Sequence, residues 1–293
     1  MRLFEDRSTT GRGSSENIAL AGPALIAELA AEHEAARQSA SSIDPVSRRY
    51  PDVTLEDAYA IQAAWVALQV KSGSVVSGKK IGLTSRAMQQ AMNIDEPDYG
   101  ILFDYMFISS GGSLMRANHV DPKIEVELAF VLSDDLNGAD VTAHDVYDAT
   151  DHVVAALELI DARSYRVHPD DDVSRTVRDT IADNAANAGI VIGDVKMPVD
   201  EVRHGELRWA GAICSRNGIV EETGVAAGVL GDPVEGIVWL ARRLHGLGIP
   251  LRAGETVLAG SFTRPLDCRV GDEFHVDFAS PALDLGVITL SVE

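Results

Sequence analysis

The chain has little cysteine, little positive charge and no long apolar run, and each shortage narrows what it can be. Two cysteines, Cys214 and Cys268, in 293 residues are too few for a disulfide framework, so a reduced, cytoplasmic setting is expected. Lys and Arg number 25 against 45 Asp and Glu, for a formal net charge of −20. Binding to phosphate surfaces needs concentrated basic side chains, so neither nucleic acid nor a membrane surface is expected as a partner. An anionic small molecule stays open, because a bound cation or a few lysines can reverse the local field. The sequence contains no run of the length, about 18 apolar residues, that a membrane-spanning helix needs. The opening "MRLFEDRSTTGRGSSEN" lacks the apolar segment of a secretory signal. Polar and rich in Gly, Ser and Thr, residues 1–20 are expected to form a disordered extension. Internal repeats and a regular strand–helix alternation are also missing, which points to an α+β arrangement.

What the chain does contain changes character along its length. "PALIAELAAEHEAARQ", from Pro23 to Gln38, has helical spacing. His33 and Glu34 within it are expected on a solvated helix face. Thr54 and Asp57 form a weak capping box for a second helix, with Leu55, Ala58, Ile61, Trp65 and Leu68 as its apolar stripe. These elements define a helical N-terminal segment over residues 21–75. From residue 76 to 293 short strand-like runs and turns dominate, which defines a β-rich domain, the part expected to carry any chemistry. Asn217-Gly218 marks a hairpin there, and Asp232-Pro233 opens one further helix. "GSVVSGKK" nearly spells a phosphate-binding loop, but Lys80 stands where that loop needs Ser or Thr, and a strand-like run follows in place of a helix.

Candidate chemistry centres on carboxylates. "IEVELAF" alternates as a strand, so Glu125 and Glu127 share one face. At about 5 Å and an effective dielectric near 20, their repulsion is about 3 kcal/mol. Either that face is wet and the side chains splay, or a cation sits between them. "HVVAALELID" places Glu158 in a second apolar, strand-like run. Three inward carboxylates require a divalent cation, and an all-oxygen donor set suits a hard one, Mg²⁺ or Mn²⁺. Of the adjacent Lys79 and Lys80, one faces inward on a strand, either snorkelling or moving protons. Asp98, in the turn-like "IDEPDYG", is either a local turn acceptor or a carboxylate near that lysine strand.

Taken in order, "GKKIGLTSRAM", "EPDYGILFDYMF", "IEVELAFVL", "ALELIDARS", "DTIADNAANAGIVIG", "RNGIVEETGVAAGVL" and "VLAGSFTRP" resemble the hydratase and decarboxylase branch of the fumarylacetoacetate hydrolase superfamily. The resemblance runs from about Leu25 to Phe278. It implies a β-rich roll around a metal site and a homo-oligomer. It puts the metal ligands on Glu125, Glu127 and Glu158 and the acid/base pair on Lys80 and Asp98. The chain departs from the pattern in three ways: Lys79 stands where the motif usually has His, the N-terminus carries an extension, and the C-terminal edge "FASPALDLGVITL" is long.

The implied activity is addition of water to a 2-hydroxy-2,4-dienoate or its 2-oxo-3-enoate tautomer. The expected substrate is a small oxo-dicarboxylate, 2-oxohept-3-ene-1,7-dioate. Asn184, Ser261 and Thr263 are candidate substrate contacts, against plain turn and strand-end roles. Arg163 either faces a substrate carboxylate or pairs with Asp161. Competing readings are decarboxylation of a 2-oxo-3-enedioate such as 4-oxalocrotonate, hydration of 2-oxopent-4-enoate, and a non-catalytic metal or oxo-acid binding subunit. A carbon–carbon bond hydrolase is disfavoured, because that chemistry is associated with a His–Glu pair and no His lies between Thr84 and Asp104.

Overall fold

Local signals open the three long helices. In the computed structural model, which describes residues 22–92, 94–202, 204–279 and 283–293, Pro23 stands at the start of α1 (Pro23–Ser39), where its missing N–H costs nothing. The extension expected over residues 1–20 lies outside the described residues. A single turn, α2 (Val46–Arg49), precedes α3 (Leu55–Lys71). Thr54 and Asp57 cap α3 reciprocally: the Asp57 N–H donates to the Thr54 hydroxyl at 3.0 Å, and the Thr54 N–H donates to the Asp57 carboxylate at 2.9 Å. Leu29 and Ala30 of α1 and Ala58, Ile61 and Trp65 of α3 bury themselves against Phe103, Met106 and Ile181. The face of α1 expected to be solvated is not. His33 is buried, and Glu34 accepts hydrogen bonds from the Trp65 indole and the Gln69 amide of α3. Leu68, expected on the buried stripe, is instead exposed, because the contact turns toward the Trp65 and Gln69 side of α3.

The strands form two sheets. The larger draws on β1 (Val76–Gly82), β2 (Asp98–Phe103), β3 (Phe107–Ser109), β5 (Lys123–Leu132), β6 (Thr150–Ile160), β7 (Asn187–Ile192), β8 (Met197–Pro198), β11 (Thr256–Leu258) and β12 (Leu266–Asp267). Its order is β2-β1-β11-β5-β6-β7-β3, with β12 also on β5 and β8 on β6. The smaller has the order β10-β9-β13-β14-β4, from β4 (Ser113–Leu114), β9 (Gly211–Arg216), β10 (Ile219–Val225), β13 (Glu273–Ala279) and β14 (Asp284–Val292). The β9–β10 hairpin turns at Asn217 and Gly218, both left-handed with φ of 54° and 78°, as the two-residue turn requires. Short helices α4 (Arg86–Met92), α5 (Ala143–Asp148) and α6 (Val177–Ala182) fill connections, and α7 (Pro233–His245) starts at the expected Asp232 cap. Helices followed by a β-rich body make this an α+β fold. No helix among the described residues is long and apolar enough to cross a membrane.

β5 and β6 run antiparallel at the centre of the larger sheet. Their register pairs Ile124 with Leu159, Val126 with Leu157 and Leu128 with Ala155 on one face, which forms the main hydrophobic core. The opposite face starts apolar, with Ala129, Val154, Ala156, Leu102 and Leu258 clustered together. It turns acidic toward the beginning of β5 and the end of β6.

Candidate metal centre

The sheet register assembles the acidic face. Glu125 lies directly across from Glu158, and Glu127 follows two residues along β5 on the same side. Glu127 and Glu158 are buried and Glu125 is half-buried, which removes the wet-face alternative. One ligand oxygen from each of the three lies within 4.8 Å of the others. Two outside groups orient them: the Gly260 N–H donates to Glu127 Oε2 at 2.9 Å, and Asn187 Nδ2 donates to Glu158 Oε1 at 2.9 Å. Glu127 Oε1 is buried with no protein partner. A compact, all-oxygen, buried donor set with an unpaired oxygen fits a hard divalent cation.

Without a cation Glu125 and Glu127 are driven toward holding protons. Burial, with Glu158 opposite, pushes Glu125 up to about 8. Burial, then Glu158 and Glu125, drive Glu127 well above the usual carboxylate range. Cation binding must displace such protons. Divalent-cation affinity is therefore expected to rise with pH up to about 8, by about tenfold per pH unit for each proton displaced. Mn²⁺ calorimetry across that range, in buffers of different ionisation enthalpy, measures both slope and proton release; a flat pH dependence counts against displaced protons. The sign for stability is the reverse. A raised carboxyl pKa stabilises the metal-free fold fully below its ordinary value of 4.5, and that stabilisation is lost as pH climbs to about 8. The chelated protein should melt progressively lower over this interval, with the cation restoring most at its upper end.

Lys80 and Asp98 approach the cluster from β1 and β2. Lys80 Nζ stands 3.4 Å from Glu158 Oε1. Asp98 opens β2 opposite Gly82, so it belongs to a buried strand and not to the turn expected from "IDEPDYG". A Cβ added at Gly82 would lie 2.2 Å from Asp98 Oδ1 and 2.9 Å from Lys80 Nζ. The two charged groups thus meet in space that only glycine leaves open. Burial pulls the Lys80 ammonium down, but Glu158, Asp98, Glu125 and Glu127 outweigh it and hold Lys80 above its ordinary value. Burial raises Asp98, against the pull of Lys80. Asp98 Oδ1 is buried without a hydrogen-bond partner.

Lys79 points to the other face of β1, as alternation requires, yet it is buried as well and does not snorkel. Its Nζ meets both Glu255 oxygens, at 2.7 and 2.6 Å. Burial draws Lys79 below the ordinary lysine value, and Glu255 opposes this.

Two expected substrate contacts need correction. The Arg163 guanidinium is spent inside the protein: Nε donates to Asp183 Oδ1 at 2.6 Å, Nη1 to the Asp161 and Asn187 carbonyls, and Nη2 to the Asp183 carbonyl. Its ionic partner is the Asp183 carboxylate, neither a ligand nor the carboxylate of Asp161. The Asn184 amide closes on the Ile101 backbone, accepting at 2.8 Å and donating at 2.9 Å, so it braces β2. Ser261 and Thr263 are half-buried beside β5. Ser261 Oγ donates to the Thr263 carbonyl at 2.9 Å, and Thr263 Oγ1 accepts from Val126 N at 3.2 Å. Val126 lies between the two β5 glutamates. Sequence reasoning did not single out Gly82, Gly260, Asn187 or Glu255. Only the "GKKIG" spacing of Gly82 from Lys80 carried a usable signal.

The chain is similar to known proteins in both sequence and fold. Residues 70–292 match the family described as fumarylacetoacetate (FAA) hydrolase C-terminal. The chain is 49% identical over 245 residues to the 2-oxo-hept-4-ene-1,7-dioate hydratase of Escherichia coli, covering 84% of this chain and 91% of that protein. It is 38% identical over 240 residues to a 2-keto-4-pentenoate hydratase of Paraburkholderia xenovorans (strain LB400), covering 82% and 86%. Among solved structures, 4-oxalocrotonate decarboxylase from Pseudomonas putida G7, complexed with magnesium and adipate, superposes with a TM-score of 0.87 at 29% identity, covering 94% of this chain and all of that one.

Proposed function

We propose, from the premise that the chain belongs to the fumarylacetoacetate hydrolase family, that it is a divalent-metal-dependent hydro-lyase acting on a seven-carbon unsaturated 2-oxo-dicarboxylate. The observation that carries the reading is the buried Glu125–Glu127–Glu158 cluster with Lys80 at its edge and Asp98 beside Lys80. The 49% identity to a hydratase favours water addition over the other reactions. The 3-ene expected from sequence and the 4-ene in that relative's name share one 2-hydroxy-2,4-dienoate tautomer, so they are one substrate class.

Mg²⁺ or Mn²⁺ held by Glu125, Glu127 and Glu158 would supply Lewis acidity and a template for the 2-oxo acid end. The chain's own residues handle protons. The 4-ene loses a C3 proton to reach the dienol and regains one at C5 to give the 3-ene. Water oxygen then bonds to C4 and a proton returns to C3, giving 4-hydroxy-2-oxoheptane-1,7-dioate. Lys80, held charged by its carboxylate neighbours, and Asp98, made a weaker acid by burial, form the pair that gives and takes these protons. Of the two hydroxyls near β5, Thr263 accepts from Val126 and keeps its proton for a substrate oxygen, while Ser261 has spent its own on a carbonyl.

Copies of the chain are proposed to associate through the smaller sheet, whose outward side exposes Ile213, Val220 and Val225 near one another, with Asp277 standing between Ile213 and Val287. The reaction class is tested by mass. The product from the seven-carbon dienoate should be heavier than substrate by one water, with no CO₂ evolved. Release of CO₂ with a shorter oxo acid would replace this reading with the decarboxylase suggested by the structural neighbour.

A further inference from the structure

The β6–β7 register contains an irregularity beside the site. Glu158 pairs with Ile190 and Leu159 with Gly189, but Ile160 pairs with Asn187, leaving Ala188 as an extra residue. In an unbroken ladder Asn187 would face away from Glu158, because facing alternates residue by residue. The bulge turns it onto the Glu158 face, and re-aiming a side chain is what bulges beside active sites do. The backbone leading into it is costly: Asn184, Ala185 and Ala186 are all left-handed, with φ of 54°, 51° and 57°. Such conformations persist only where surroundings impose them. Here the Asn184 amide grips Ile101, the Ala186 carbonyl accepts from Asp161 N at 2.8 Å, and Arg163, clamped to Asp183, donates to the Asn187 carbonyl at 3.0 Å. The buried Arg163–Asp183 pair thus helps aim one side chain.

That side chain is fully buried. Its Nδ2 donates to Glu158 Oε1, and its Oδ1 has no partner. A buried carbonyl oxygen without a donor is expensive, and in a polar site it is met by water or ligand. We propose that Asn187 is a positioning residue of this centre: its N–H fixes the Glu158 carboxylate for the cation, and its Oδ1 receives an O–H donor from the reacting molecules, either the substrate's enol hydroxyl or the water that adds. This rests on the hydration reading above. It extends that reading to a residue whose spacing from the glutamates gave no sign of the role.

The test uses the full chain stripped of metal, with Mn²⁺ as the probe. Asn187→Leu keeps the volume and removes both polar atoms; Asn187→Ala is the second variant should leucine not fold. Mn²⁺ affinity by calorimetry is expected to fall about 10–100-fold, the usual range for outer-shell changes, while the melting temperature in chelator stays near wild type. A merely structural asparagine would do the opposite, lowering the melting temperature and leaving Mn²⁺ affinity unchanged, and that result overturns the proposal. At saturating Mn²⁺, a raised KM identifies the donor as the substrate hydroxyl and a lowered kcat identifies it as water. Wild-type kcat and KM there would overturn the Oδ1 role. If wild type itself binds no Mn²⁺, the metal reading falls first, and the two failures are thereby told apart.

Discussion

Lys80→Ala is expected to lower kcat by about 10²–10⁴-fold, the range of a lost acid/base group, while Mn²⁺ affinity holds or tightens. The second half follows from position. Lys80 Nζ lies 3.4 Å from Glu158 and competes with any cation for that carboxylate, so its removal takes nothing from the ligand set. Lys79→Ala separates the two lysines. Lys79 sits on the opposite face of β1, bonded to both oxygens of Glu255. Its loss leaves a nearly buried carboxylate with the Arg252 N–H but no ionic partner, which costs about 3–5 kcal/mol of stability, without touching the proton-transfer pair. Melting curves and steady-state kinetics on both variants make the comparison. A stable but inactive Lys79→Ala beside a nearly normal Lys80→Ala would overturn the assignment of Lys80 as the proton-transfer residue. Gly82→Ala should follow Lys80→Ala in kind, because its added methyl group falls on Asp98 Oδ1 and Lys80 Nζ.

Glu127→Gln and Glu158→Gln are expected to abolish hydration and to weaken Mn²⁺ binding by more than the about 10–100-fold typical of an outer-shell change, since a neutral amide loses the ion's main attraction. At Glu127, stability should move the other way. The metal-free cluster confines three carboxylates whose repulsion and burial already force protons onto Glu125 and Glu127. Removing Glu127 as an ionisable member relieves that repulsion, so chelated Glu127→Gln should melt no lower than chelated wild type, most visibly toward pH 8, where the wild-type cluster is being forced to ionise. Glu158→Gln also takes from the buried Lys80 its nearest carboxylate and should melt lower in chelator. Function and metal-free stability are thus opposed at Glu127. Full turnover by either variant in excess chelator would remove the cation from the reaction. Glu127→Gln that melts far below wild type in chelator would show that the carboxylate, and not the ion it awaits, holds the strands together.

Local pattern carried what depends on neighbours in sequence. A two-residue spacing puts Glu125 and Glu127 on one face of any strand, so "IEVELAF" placed the two carboxylates side by side while leaving a wet face and a bound cation both open. The Thr54–Asp57 box, the Asp232 cap and the Asn217-Gly218 turn are equally local, and each appears where its residues place it. The apolar run around Glu158 marked it as an inward acid and the motif resemblance selected Lys80 and Asp98, but their separations in sequence carry no distance information. Tertiary structure decided the rest. Cross-strand register set Glu158 against Glu125, and one extra residue in β7 swung Asn187 onto the same face. Whether a polar side chain serves the protein or a ligand also depends on distant partners. Arg163 and Asn184 looked available in sequence and are consumed by Asp183 and Ile101. Lys79, in sequence only a departure from the motif, is buried because Glu255, 176 positions away, meets it. Hydrogen-bond satisfaction and register are properties of chain segments brought together in three dimensions, so no periodicity within one segment encodes them.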